Sequence, residues 1–200
     1  VFLRNTVLAP EDQLRKPGSC GKPAPYVEVS LLDDEGREIT DPNVPGELFV
    51  RASSVFDSYY KAEEKFAAEH REGGWHTVGD IAYRDEEGFL FVCDRKKDMI
   101  ISGGMNIYPA EIESALESHP GVFEAAVIGI ESQEWGESVL AVIVPSDPGL
   151  TQEQVTDFAR EHLAGYKVPR MIEFVDEIPK TGSNKILKRD LRTQFKALCS

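Results

Sequence analysis

The sequence predicts a mixed α/β fold of the α+β type, in which a β-rich subdomain precedes a small α/β domain of three or so strands flanked by helices. Up to residue 94, short apolar runs are bounded by glycines and charged turns, which is typical of strands. After residue 98, strand-like runs alternate with segments of helical periodicity. We therefore expect one domain over residues 1–94, a second over residues 95–200, and a hinge at 94–98.

The first part of the chain contains three strand candidates and one helix candidate. Residues 26–33, 46–52 and 89–94 are rich in β-branched and aromatic residues and are bounded by glycines or charges. Residues 61–70 favour a helix by propensity, and residues 73–80 form a loop punctuated by glycines. This part is therefore expected to consist mainly of strands and turns.

The second part alternates strand and helix candidates. We predict strands at 99–102, 122–131, 138–145 and 171–178. Pro109 is expected at the first position of a helix that Pro120–Gly121 ends. Thr151 and Gln154 have the spacing of a capping box for a second helix, which we expect to end at Gly165. This alternation is what predicts the α/β domain.

The composition is that of an acidic globular protein. The 200 residues are 41% hydrophobic and 28% charged, with 22 Lys and Arg against 35 Asp and Glu and a formal net charge of −13. Such a composition supports a proper core. The acidic balance argues against a general nucleic-acid-binding protein, which needs a basic face. An anionic ligand would therefore have to be held by local positive charge.

The cysteines and the apolar runs indicate the cellular compartment in which the protein is expected. Cys20, Cys93 and Cys199 are odd in number and far apart, so neither a disulfide framework nor a zinc site is expected and the cytoplasm is predicted. The longest apolar run, 122–130, is too short to span a bilayer. We expect no signal peptide, and the start at Val1 indicates a fragment of a longer protein.

Positive charge concentrates near the C-terminus, where five basic residues lie within 179–192. Lys185 is expected at the start of an amphipathic helix, with Ser183 or Asn184 as its cap. There its ammonium group and the free N–H groups of the helix start would clamp a carboxylate or a phosphate. The alternative is a solvated loop before the helix, and the segment taken alone favours that alternative.

Two other stretches are compatible with a functional role and also with an ordinary solvated turn. Asp80 ends a glycine-bounded loop, where its carboxylate would accept from both hydroxyls of a sugar diol or would simply be solvated. The charged run 94–98 is either a hinge or a solvated turn, and Arg95 adds a planar donor group. Gly103 and Gly104 permit positive φ angles and the close approach of a ligand or a second backbone.

Taken together and in order, these stretches resemble the adenylate-forming enzymes, specifically the AMP-forming acyl-CoA synthetases. Five motifs carry the resemblance over nearly the whole chain. They are PGSCGKPAPYVEVSLLDDEGRE, GELFVRA, GGWHTVGDIAYRDEEGFLFVCDRKKDMIISGGMNIYPAEIE, HPGVFEAAVIGIESQEWGESVLAVIV and YKVPRMIEFVDEIPKTGSNKILKRDLR. One motif alone would be weak, but five in series are a strong signal.

The resemblance implies a two-step reaction. A carboxylate, expected to be that of a fatty acid, attacks the α-phosphate of ATP to give acyl-AMP and pyrophosphate; the thiol of CoA then attacks the acyl carbon and expels AMP. By this resemblance, Asp80 and Arg95 would bind the ribose, and Lys185 would bridge the substrate carboxylate and the α-phosphate. Lys97 would be the pivot of a mobile C-terminal domain, and Gly103–Gly104 would border the pantetheine tunnel. The nearby cations are expected to be ordinary helix-surface charges: Lys188, Arg189 and Arg192.

The chain departs from the family pattern and leaves parts of it out. Asn184 stands where the family usually has glycine before the catalytic lysine, and Ala52 and Ser58 stand where glycines are usual. Residues 1–94 would be the truncated end of the family's large N-terminal domain. The phosphate loop, the Mg²⁺ ligands and most of the acyl pocket would precede Val1. We therefore expect no metal ligand in this chain and no activity from the fragment alone.

Other functions stay open on the sequence. A close sibling would adenylate its substrate but deliver the acyl group to a carrier protein or to an oxidative step, although Gly103–Gly104 and residues 106–109 favour CoA. A non-catalytic binding or regulatory module would keep the fold without the chemistry, and Asn184 is a departure that it might show. The expected partners are a small carboxylic acid, ATP, CoA and the missing N-terminal domain, with no nucleic acid and no transmembrane segment.

Overall fold

The chain forms two compact units, Val1–Lys97 and Asp98–Ser200. The structure is a computed structural model that describes residues 5–53, 55, 58, 61 and 63–198. The division between the units falls inside the segment 94–98 that was expected to be a hinge. That the second unit moves as a domain stays a prediction. Among the described residues, no helix is both long and apolar enough to cross a membrane.

The first unit is built mainly of antiparallel strands. Its strands are β1 (Thr6–Val7), β2 (Lys22–Pro23), β3 (Glu28–Leu32), β4 (Gly46–Arg51), β5 (His70–Arg71), β6 (Trp75–Arg84) and β7 (Leu90–Arg95), and its helix is α1 (Glu63–Glu69). Strand β6 is central: β4 pairs with it on one side, and β5 and β7 pair with successive parts of its length. Strand β3 pairs with β4, while β1 and β2 form a separate ribbon.

A turn that is anchored by the buried Asp85 joins β6 to β7. One oxygen of Asp85 accepts hydrogen bonds from the backbone N–H groups of Glu87 (3.0 Å) and Phe89 (2.8 Å), and its other oxygen accepts one from Lys16 (2.7 Å). Burial alone would raise the pKa of Asp85, but these hydrogen bonds outweigh it and hold the pKa below its usual value. The turn therefore depends on an ionised Asp85. The turn also fixes the register in which β7 pairs with β6.

The second unit places one sheet between helices. Its strands are β8 (Ile100–Ser102), β9 (Met105–Ile107), β10 (Val122–Ser132), β11 (Gly136–Pro145) and β12 (Met171–Phe174). Its helices are α2 (Pro109–Glu117), α3 (Gln152–His162) and α4 (Lys188–Gln194). Strands β10 and β11 form a long antiparallel hairpin, β12 pairs with β11 in parallel, and the short hairpin of β8 and β9 joins the end of β11.

Both faces of β10 are buried, which explains its nearly continuous apolar sequence. Ala125 and Val127 face one cluster, to which α2 contributes Ile112 and α3 contributes Val155. Alternate residues of β10 face a second cluster, to which α4 contributes Leu191. Because successive residues of a strand point to opposite faces, the two clusters form layers on either side of the sheet.

The fold class predicted from the sequence is confirmed, with corrections to three elements. Residues 75–80, expected in a loop, belong to strand β6, because they pair with β4 and β5. The described part of the second unit has five strands in its sheet rather than three or so. The missed strand is β9, which follows at once because Gly103–Gly104 turn the chain back at positive φ. The expected helix start at Lys185 is wrong: α4 begins at Lys188, because Lys180 and Ile186 pair in an isolated bridge and the residues between them form a loop.

Candidate active site

The structure brings Asp80 and Arg95 together on neighbouring strands. The two residues are direct partners in the β6–β7 register. Arg95 Nε lies 2.8 Å from Asp80 Oδ1, and another guanidinium nitrogen of Arg95 donates to the carbonyl oxygen of Val78 at 3.3 Å. This contact engages one oxygen of the Asp80 carboxylate. A carboxylate beside a guanidinium at a strand edge is able to accept hydrogen bonds from the hydroxyls of a sugar.

Glu47 supports the part of β6 that leads to Asp80. Its carboxylate accepts a hydrogen bond from the Thr77 hydroxyl (3.0 Å) and another from Lys96 Nζ (2.9 Å). The Thr77 hydroxyl in turn accepts from the backbone N–H of Gly79 (2.9 Å), which has a φ of 75°. Glu47 therefore links β4 to the part of β6 before Asp80 and to the charged segment after β7. Its place in the strand motif did not indicate this role.

A surface cavity of about 450 Å³ lies beside this network. Its lining includes three consecutive cations at positions 95–97 and the carboxylates of Glu47 and Glu69. Arg95 and Lys96 are already paired with Asp80 and Glu47, so little of this positive charge is left over for an anion. Lys97 is exposed on this lining, at the division between the two units. Its role as a pivot stays a prediction.

Gly103 and Gly104 form the turn between β8 and β9, with φ angles of 57° and 78°. The N–H of Gly103 donates to the carbonyl oxygen of Trp135 at 2.9 Å. A Cβ atom at Gly103 would lie 3.0 Å from the Trp135 ring, whereas one at Gly104 would meet nothing within 4 Å. The close approach expected at these glycines is therefore made by Trp135, and any role toward a pantetheine chain stays a prediction.

Trp135 and Arg170 lie beside this turn, and the sequence analysis did not single them out. The Arg170 guanidinium carbon lies 4.1 Å from the centroid of the Trp135 ring, which is a cation–π contact. Trp135 lies in the short connection between β10 and β11. A tryptophan in a hairpin connection was the available signal, since such a large side chain needs something to pack against.

Lys185 is presented by a tight loop instead of a helix start. The backbone N–H of Thr181 donates to the carbonyl oxygen of Lys185 (2.8 Å), and the N–H of Lys185 donates to the Thr181 hydroxyl (3.1 Å). Asn184 lies between them with a φ of 63°. Lys185 is exposed, and in the described part of the chain its ammonium group has no ion pair. The amide clamp expected from a helix start is therefore absent from the described loop.

The cations around Lys185 are paired, which corrects the expectation that they are ordinary surface charges. Lys188 forms an ion pair with Glu113 at 2.7 Å, and Arg192 forms one with Asp98 at 3.2 Å. Arg189 does match the expectation, because its side chain is 89% exposed. Lys188 and Arg192 thus hold the segment around Lys185 to the rest of its unit.

Two family models match the chain. The model described as AMP-binding enzyme matches residues 1–60, and the model described as AMP-binding enzyme C-terminal domain matches residues 111–185. A long-chain-fatty-acid–CoA ligase of Escherichia coli O157:H7 is 47% identical over 177 residues, which cover 88% of this chain and 31% of that ligase. The chain belongs to the AMP-binding enzymes. The resemblance to acyl-CoA synthetases seen in the sequence is thereby confirmed.

Solved structures of AMP-binding enzyme relatives share the fold. The o-succinylbenzoate CoA synthetase of Bacillus subtilis, in complex with its acyl-adenylate intermediate, matches with a TM-score of 0.88 and 41% identity, over 95% of this chain and 38% of that chain. The amide bond synthetase McbA of Marinactinospora thermotolerans matches with a TM-score of 0.82 and 36% identity, over 94% and 38%. This AMP-binding enzyme chain therefore spans about a third of the length of the relatives it matches.

Proposed function

We propose that the protein containing this chain is an AMP-forming acyl-CoA ligase. The observation that supports this most is Lys185, an exposed ammonium group on a braced loop, in a chain similar to a synthetase solved with an acyl-adenylate. An uncompensated cation at a loop tip is suited to a reaction that brings two anions together.

In the first step, the oxygen of a substrate carboxylate attacks the α-phosphorus of ATP, and pyrophosphate leaves with the electrons of the broken P–O bond. Lys185 bridges the carboxylate and the α-phosphate, so that it lowers their repulsion and stabilises the charge that builds up at phosphorus. Asp80 accepts hydrogen bonds from the ribose hydroxyls, and Arg95 orients that carboxylate through its contact at 2.8 Å.

In the second step, the thiol of CoA attacks the acyl carbon and AMP leaves as an anion. Lys97 is the pivot that lets the second unit change its position between the steps, and the turn at Gly103–Gly104 borders the pantetheine path. Within the described residues, no group of three or more His, Cys, Asp or Glu side chains is arranged to hold a metal ion. By the resemblance to the family, we propose that the Mg²⁺ ligands, like the phosphate loop and the acyl pocket, lie in the longer protein outside this chain.

The substrate is proposed as a small carboxylic acid, with a fatty acid as the first choice. The Escherichia coli relative is named for long-chain fatty acids, and the Bacillus subtilis structure holds an o-succinylbenzoate adenylate. The proposed partners are ATP and CoA, and the proposed location is the cytoplasm.

The test uses the full-length protein that contains this chain. ATP–pyrophosphate exchange is measured with a panel of fatty and aromatic acids, and thioester formation is measured separately from supplied acyl-adenylate. Lys185→Ala is expected to slow adenylation by about 10² or more while largely sparing thioester formation. The exposed Lys196→Ala serves as the control and should leave both steps unchanged. Equal loss of both steps in Lys185→Ala would refute the assigned role.

A second function is supported by one specific comparison. The amide bond synthetase McbA shares the fold of this chain at a TM-score of 0.82, so the fold also serves a protein that is not named as a CoA ligase. The competing proposal is an adenylating enzyme that transfers its acyl group to an acceptor other than CoA, such as a carrier protein. Adenylation without CoA-dependent AMP release would favour it. A non-catalytic module would show neither reaction.

A further inference from the structure

The loop that carries Lys185 is poorly fixed by its own contacts. Residues 181–185 are all exposed, and a Cβ atom at Gly182 would meet nothing within 4 Å. The hydrogen bonds within the loop join it to itself through Thr181, so they set its shape but not its direction relative to the sheet. The direction in which Lys185 points must therefore be set by the residues at the two ends of the loop.

The N-terminal end of the loop is tied to β10. Lys180 Nζ lies 2.8 Å from Glu124 Oε1, and both side chains are largely buried. Glu124 follows a register irregularity between β10 and β11, at the point where β10 begins. This ion pair fixes the last residue before the loop against the start of the strand.

The C-terminal end of the loop is tied to the same strand through α2. Lys188 Nζ lies 2.7 Å from Glu113 Oε1, with side-chain exposures of 13% and 17%. The same oxygen of Glu113 accepts a hydrogen bond from the backbone N–H of Val127 in β10 at 2.8 Å. Lys188 is the first residue of α4, where the helix dipole disfavours a cation. The pairing with Glu113 compensates for that unfavourable position.

We propose that Lys188, Glu113, Lys180 and Glu124 are positioning residues that aim Lys185 for the adenylation step. This inference rests on the proposed function, because it needs Lys185 to act in the first half-reaction. Both ends of the loop are fastened to β10, so the orientation of the loop is fixed relative to the sheet. Since a displacement of about 1 Å at a reacting centre can cost about 10² in rate, loosening either end slows adenylation.

A structural role and a positioning role predict different results. The side chains of the two ion pairs are only 13–28% exposed, so losing one partner lowers stability, but the two apolar clusters hold the unit together. Loss of a pair should therefore leave the fold in place. Because thioester formation does not use Lys185, a positioning defect should appear in adenylation alone, whereas a folding defect should appear in both steps.

The experiment compares Lys188→Met with Arg189→Met in the full-length protein. Arg189 is the next residue, and its side chain is 89% exposed, so it is a matched control. Lys188→Met is expected to slow ATP–pyrophosphate exchange by about 10- to 100-fold and to change thioester formation from supplied acyl-adenylate by less than about threefold. Arg189→Met should change neither step. Equal slowing of both steps, or no slowing of exchange, would overturn the proposal.

A second variant covers the case in which Lys188→Met does not fold. Glu113→Gln removes the charge but keeps an oxygen that can accept from Val127, so it should slow exchange less than Lys188→Met does. Hydrogen exchange of the backbone amides at 181–185 should become faster in Glu113→Gln. An unchanged rate of hydrogen exchange at these amides would count against the proposal. If Lys185→Ala itself leaves adenylation intact, the proposed function fails. If Lys185→Ala abolishes adenylation but Lys188→Met and Glu113→Gln do not slow it, only this inference fails.

Discussion

Substituting alanine at Gly103 and at Gly104 separates backbone strain from crowding. Both glycines have positive φ, so alanine costs roughly 1–2 kcal/mol at either position. At Gly103 the new Cβ would also lie 3.0 Å from the Trp135 ring, whereas at Gly104 it would meet nothing within 4 Å. Overpacking of this kind costs about 1 kcal/mol at the lower end of its range. Gly103→Ala should therefore destabilise the second unit by about 1 kcal/mol more than Gly104→Ala does.

The assay is urea denaturation followed by the fluorescence of Trp135. A Trp75→Phe background removes the other tryptophan of the chain, which lies in the first unit. In a Trp135→Leu background, where unfolding is followed by far-UV circular dichroism because the tryptophan reporter is gone, the extra cost of Gly103→Ala should disappear, while the cost of Gly104→Ala should stay the same. Equal losses of unfolding free energy for the two alanine variants would refute the crowding argument, since both positions have positive φ and only the Cβ at Gly103 meets the Trp135 ring.

Three further predictions follow from contacts in the loops and strands. Asn184→Val should destabilise its loop by about 1–2 kcal/mol in thermal unfolding, because β-branched residues disfavour positive φ, whereas Asn184→Gly should be nearly neutral. The pKa of Asp85 is lowered in the folded protein, so the ionised carboxylate stabilises the fold. This stabilisation is complete above the pKa that Asp85 has in the unfolded chain, and it is lost as the pH falls through the folded-state pKa. Asp85→Asn should therefore clearly lower the unfolding free energy in denaturation at pH 7 and leave it nearly unchanged near pH 2. Asp80→Asn in the full-length protein should weaken AMP binding by about tenfold in calorimetry, with Arg95→Lys weakening it less; unchanged affinity would remove Asp80 from the ribose site.

The fold of the second unit could be predicted because its signals are local. Pro109 does begin α2, and Thr151 and Gln154 do form the capping box of α3. The apolar runs of β10 and β11 are long enough to identify both strands. Strand β9 could not be found in this way, because three residues after a glycine turn carry no periodicity of their own.

The candidate site residues were chosen from sequence motifs, and their roles stay predictions; the contacts that support them could not be predicted from the sequence. Asp80 and Arg95 were singled out by motif, and the register of β6 and β7 makes them neighbours. The partners of Lys188 and Arg192 lie 75 and 94 positions away in the chain, at Glu113 and Asp98. Contacts over such separations depend on tertiary packing, so charge patterning along one helix misread both cations as surface residues.

Asn184 changes what a sequence pattern for this family should require. The position before the lysine needs a residue that tolerates a φ of 63°, and asparagine is the residue that comes nearest to glycine in this respect. A search pattern that demands glycine there would reject this chain, although its backbone takes the left-handed conformation that glycine allows. The pattern is better written as a conformational class, glycine or asparagine, than as a single letter. Written that way, Asn184 no longer counts as a sign that the catalytic machinery has decayed.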